Sequence, residues 1–70
     1  MRLRIKDMRE DCDKTQKMIM KYLGITQATY SRYENGERQI PINLLAKLAD
    51  YYGVSVDYLL GLTENPKRNY

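Results

Sequence analysis

The 70-residue chain contains no histidine, one cysteine and two prolines. A lone thiol, Cys12, cannot close an internal disulfide, and without histidine no plausible zinc constellation exists, so both usual staples of small domains are missing. The apolar core must hold the fold, near the lower size limit at which a core can do so, and a second domain does not fit. No apolar run approaches the roughly 18 residues of a membrane-spanning helix, and the charged start MRLRIKDMRE lacks the apolar block of a signal peptide. A soluble, cytoplasmic chain without membrane contact is expected. Chemistry has few candidates too: Cys12 falls on the apolar stripe of its helix, no imidazole is present, and no carboxylate pair is evidently gathered in a pocket. Neither an enzyme nor a metal or cofactor is expected.

What the chain does have is a formal charge of +3 and a pI near 9.1, which permits nucleic acid as a partner but does not select it. Ile5, Met8 and Cys12 recur at helical spacing and predict a first helix that Asp13 and Lys14 end. Thr15 caps a second, TQKMIMKYLG, with Gly24 as its stop. Thr26 caps a third, flanked by Ile25 and Tyr30 as a hydrophobic staple, running to about Tyr33 before Asn35 and Gly36 break it. Pro41 suits the first turn of a fourth helix, INLLAKLADYYG, with Leu45, Leu48, Ala49 and Tyr52 along one face. Ser55 caps a short fifth, with Val54 and Leu59 as a second staple and Gly61 at its end. The expected architecture is a compact all-α domain of five helices over residues 1–63. A polar, mobile tail is expected over 64–70.

In the third helix Tyr30 and Tyr33 lie three apart and face inward, which turns Gln27, Ala28, Thr29 and Arg32 toward solvent near the helix start. Such a face is often just solvated. It also suits a major groove, where Gln pairs with adenine, Arg with guanine, and small apolar groups touch the thymine methyl.

From about Arg4 to Leu62 the sequence resembles the Cro-repressor or xenobiotic-response-element (XRE) family of helix-turn-helix DNA-binding domains. The resemblance is carried by Thr15-Gln16, Gly24, SRYENG (31–36), LAKLADYY (45–52) and GVSVDYLLG (53–61), in the family's order and spacing. It implies a lambda-repressor-like fold whose second and third helices are the helix-turn-helix, with the third in the major groove. By the same resemblance Gln27, Ala28, Thr29 and Arg32 read bases. Gln16, Lys17, Thr26, Asn35 and Arg38 meet the DNA backbone, and Arg9 with Glu34 forms a structural ion pair. The implied protein is a bacterial or phage-type transcriptional regulator, a repressor that binds a palindromic operator in double-stranded DNA and is nucleoid-associated when bound. It pairs as a homodimer through the fifth helix and C-terminal region, where Tyr58, Leu62 and the tail to Tyr70 offer amphipathic surface.

Several residues depart from the family pattern. Met20 stands for alanine and Tyr30 for Ile or Val, and this extra bulk either bends Met20 aside or splays the helix pair. Lys14 stands for leucine, Asp13 for glycine, and Met18 for the glutamate of a capping box, which leaves the second helix less firmly seated. A protein-interaction module, such as an antitoxin or anti-repressor on the same fold, stays open as the alternative. An exposed patch over Met18, Ile19 and Met20 would favour it, and burial of Ile19 and Met20 would disfavour it.

Overall fold

The computed structural model describes residues 3–67, in which five helices and no strand occur. They are α1 (Ile5–Asp11), α2 (Gln16–Leu23), α3 (Gln27–Asn35), α4 (Ile42–Tyr52) and α5 (Val56–Leu59). Three of them start on a hydroxyl cap, the Thr15, Thr26 and Ser55 side chains accepting from the backbone N–H of Met18, Thr29 and Tyr58. Each cap satisfies an amide that has no partner within its own helix. Pro41 precedes α4 as its extended N-cap residue, one position before the helix proper.

The helix ends share one device. After each helix a left-handed residue lets two backbone N–H groups turn back onto the last carbonyls, as in Gly24 N to Lys21 O and Ile25 N to Met20 O. Gly24, Gly36, Gly53 and Gly61 fill this position after α2 to α5. After α1 it is Asp13, the one non-glycine described residue with positive φ (56°), with Asp13 N bonding Glu10 O and Lys14 N bonding Arg9 O.

The core gathers Ile5, Ile19, Leu23, Tyr30, Tyr33, Ile40, Leu45, Leu48, Ala49, Val54 and Leu59. Ile25 packs against it, so both members of the Ile25–Tyr30 staple reach the core, as do Val54 and Leu59. This is the all-α, lambda-repressor-like arrangement, with α2 and α3 packed together and α4 closing over α2 and α5. Tyr30 is fully buried and Met20 lies partly buried against the core, so the two bulky replacements are accommodated without a change of topology.

Two expectations need correction. Cys12 does not lie on a buried stripe: α1 stops at Asp11, Cys12 becomes its C-cap residue and is exposed, and only Ile5 of the three stripe positions is fully buried. The start of α2 is not left without its capping box either. Thr15 N donates to the Met18 thioether at 3.5 Å while Met18 N donates to Thr15 Oγ1 at 3.2 Å, so sulfur takes the place of a carboxylate as a weaker acceptor.

The polar segment after α5 makes specific contacts. Arg4 Nη1 donates to the Thr63 carbonyl at 2.8 Å, Arg4 pairs with Glu64 at 3.4 Å, and its guanidinium sits 4.4 Å from the Tyr58 ring centre. Ser55 N donates to the Pro66 carbonyl. The rest of the proposed tail, 68–70, lies outside the described residues.

Candidate nucleic-acid interface

With Tyr30 at 0% and Tyr33 at 6% exposure, α3 is fixed in rotation about its axis. Its other edge follows: Gln27, Ala28 and Arg32 are exposed and Thr29 is half-buried. Gln27 and Arg32 are thus neither packed inside nor tied up in side-chain hydrogen bonds among the described residues. Thr26 and Thr29 are brought together, since Thr29 N and the Thr29 hydroxyl both meet Thr26 Oγ1, at 3.2 and 2.9 Å. The residue that caps the helix thereby orders a neighbour on the exposed edge.

Of the expected backbone-contacting residues, Lys17, Thr26, Asn35 and Arg38 are exposed and Gln16 is half-buried at the first position of α2. Asn35 is the last residue of α3, and Arg38 lies in the following loop, where its N–H bonds the Arg32 carbonyl. One signal in the sequence went unused. From Lys14 to Tyr33 there is no acidic residue, while Lys14, Lys17, Lys21 and Arg32 are all cationic, whereas α1 and its C-terminal turn carry Asp7, Glu10, Asp11 and Asp13. The tract from Lys14 to Tyr33, which covers α2 and all of α3 before Glu34, therefore carries positive charge without an acid of its own, which favours a polyanion on that side.

Glu34 is the one acid in α3, and it does not face outward. Its side chain is 1% exposed, gripped by Arg9 through Nε to Oε2 at 2.7 Å and Nη2 to Oε1 at 3.2 Å. Gln16 Nε2 adds a third bond to Oε1 at 3.0 Å. Burial works against the Glu34 carboxylate, but the bonds from Arg9 and Gln16 outweigh it and hold its pKa below the ordinary value. The Tyr30 hydroxyl works in the same direction, although it forms no hydrogen bond of good geometry and is buried without a partner among the described residues. Arg9 in turn is pushed up by its bond to Glu34, against the opposing effect of burial. Its Nη1 also donates to the Lys14 carbonyl at 2.9 Å, which the left-handed turn at Asp13 brings within reach. One carboxylate thus joins α1, α2 and α3, a bond set for which the sequence revealed two members but not Gln16.

The Met18–Ile19–Met20 run forms no continuous exposed patch. Ile19 is 0% exposed, Met20 packs against the core, and Met18 alone is open at 49%. Tyr22, one turn on from Met18, is held by its ring against Tyr51 at 4.7 Å and by its hydroxyl on the Lys47 carbonyl. No helix among the described residues is long and apolar enough to cross a membrane.

A family model described as helix-turn-helix matches residues 5–59. The chain is 36% identical over 63 residues to the uncharacterized HTH-type transcriptional regulator YobD of Bacillus subtilis, covering 90% of this chain and 56% of that protein. It is 39% identical over 66 residues to the HTH-type transcriptional regulator ImmR of Bacillus subtilis, covering 94% and 52%. It is 34% identical over 58 residues to the cryptic phage CTXphi transcriptional repressor RstR of Vibrio cholerae, covering 83% and 52%. The chain spans about half the length of these curated relatives. No solved structure matches it.

Proposed function

Since the chain belongs to the helix-turn-helix family, we propose that it is a sequence-specific DNA-binding transcriptional regulator, a repressor acting from the cytoplasm on operator DNA. The carrying observation is the burial of Tyr30 and Tyr33, which leaves the Gln27, Ala28, Arg32 edge of α3 open to solvent beside an acid-free tract. In this reading α3 enters the major groove and Gln27, Ala28, Thr29 and Arg32 read base edges. Gln16, Lys17, Thr26, Asn35 and Arg38 meet phosphates and set the register.

One such domain reads few base pairs, so a homodimer on a palindromic site supplies the missing selectivity. Leu62, 62% exposed just beyond α5, and Ile42, 68% exposed at the start of α4, are apolar surface available for pairing. Tyr58 is less free, because Arg4 covers its ring. Burial of Ile19 and the packing of Met20 weigh against the protein-interaction alternative.

Selection of duplexes from a random pool, with the mass of the complex measured, tests this directly. A two-fold symmetric site bound by two chains, with affinity that falls steeply as salt rises, is the expected result. Undetectable or salt-independent duplex binding would remove the DNA reading.

A further inference from the structure

We propose that Glu34 is a positioning residue for the phosphate contact of Gln16, its carboxylate holding the Gln16 amide by one Nε2 proton and leaving the other for a phosphate. This rests on the DNA-binding reading above.

An ionised carboxylate only accepts hydrogen bonds, so the group that Gln16 turns toward Glu34 must be its NH2 and not its carbonyl. The observed bond, Nε2 to Oε1 at 3.0 Å, uses one of the two Nε2 protons. The second proton is not used by a bond among the described residues, and the half-buried Gln16 leaves it for another acceptor. A phosphate is such an acceptor and, like the carboxylate, cannot donate at neutral pH. Turning the amide over would set carbonyl oxygen against carboxylate oxygen. Glu34 thus excludes that orientation and keeps the amide held by its NH2.

The carboxylate is itself well placed for this role. At 1% side-chain exposure and with its charge countered by Arg9 at 2.7 Å, it influences the amide without presenting a bare negative charge to the duplex. Glu34 lies in the last turn of α3 and Gln16 at the first position of α2, so the bond also ties the residue that meets phosphate to the helix that reads bases. An ion pair serving stability alone is complete with Arg9, and the Gln16 bond is additional to it.

NMR of the Gln16 side-chain amide in the whole chain tests the orientation without DNA. The Nε2 proton bonded to Glu34 is expected to exchange with solvent more slowly than its twin, and random-sequence duplex at low salt to shift the twin. In binding assays, Glu34→Gln is expected to weaken random and selected duplexes alike, by about tenfold. Gln16→Ala should cost a similar factor in the native background and add nothing to Glu34→Gln. Equal exchange of the two protons, or losses that multiply in the double variant, would overturn the proposal. Should Glu34→Gln fail to fold, the amide comparison in the native chain still decides. A chain that binds no duplex at all defeats the functional reading, whereas a native amide without the exchange difference defeats this one.

Discussion

Truncating Gln27 or Arg32 to alanine removes hydrogen-bonding groups from an exposed edge and leaves the core untouched. In the proposed complex each should cost about 1 to 3 kcal/mol on the selected operator and little on random duplex, because only correct bases engage them. Lys17→Ala, by contrast, should weaken all duplexes alike and lower the salt slope by about one unit, since a phosphate contact carries no sequence information. Binding isotherms on both DNAs at several salt concentrations separate the two roles, and equal losses for Arg32→Ala on both DNAs contradict base reading. Glu34 bears on stability apart from its proposed part in binding. Its pKa is depressed in the fold, so its contribution is present above the ordinary carboxylate range, near pH 4.3, and is lost as pH falls through the lower folded value. Glu34→Gln should therefore flatten the loss of stability between pH 7 and acid, measured as urea midpoints, while Glu34→Ala should cost about 3 kcal/mol at pH 7 by stranding Arg9, whose side chain is 13% exposed.

The five helix ends differ in one respect that can be measured. Four carry glycine in the left-handed position and α1 carries Asp13 at φ 56° with the same pair of backbone bonds. Left-handed backbone strains a residue that has a Cβ, although aspartate tolerates it better than most. Asp13→Gly should accordingly stabilise the chain by about 0.5 to 1 kcal/mol in chemical denaturation. No gain would show that the Asp13 side chain offsets its own strain. Helix starts and stops were legible in the sequence because they depend on local chemistry, a hydroxyl before an apolar periodicity and a glycine after it. The inward pair Tyr30 and Tyr33 was legible for the same reason, and with it the exposed edge. The Met18 thioether in the capping box was not, since sulfur is not a residue type sought at that position. Cys12 was misplaced because helical spacing cannot say at which residue a helix stops. The Gln16–Glu34 and Ser55–Pro66 bonds join positions far apart in the chain and come into view only when the helices are packed.

The whole molecule rests on one core without a disulfide, and 70 residues leave about 4 to 10 kcal/mol of net stability. Two tyrosine hydroxyls, of Tyr30 in that core and of Tyr52 packed against it, are buried without a hydrogen-bond partner among the described residues. Burial pushes both phenols well above their ordinary pKa of 10.0. For a group raised on folding the stabilisation is complete below the unfolded value and drains away as pH climbs from there toward the folded value. Each buried phenol removes about 1.4 kcal/mol per pH unit in that window. Together they cost about 5.6 kcal/mol two units above the unfolded value, which is comparable with the whole reserve. The chain should therefore unfold cooperatively in alkali, with an onset near pH 10 and a release of two protons per molecule from these sites. Tyr30→Phe removes one titrating group and one unpartnered hydroxyl while keeping the ring that orients α3, so it should preserve stability at neutral pH and about halve the slope of stability against pH above 10. Denaturant midpoints for both proteins at pH 8, 10 and 11 measure that slope, and an unchanged slope in Tyr30→Phe would mean that the Tyr30 phenol ionises no less readily in the fold than in the unfolded chain.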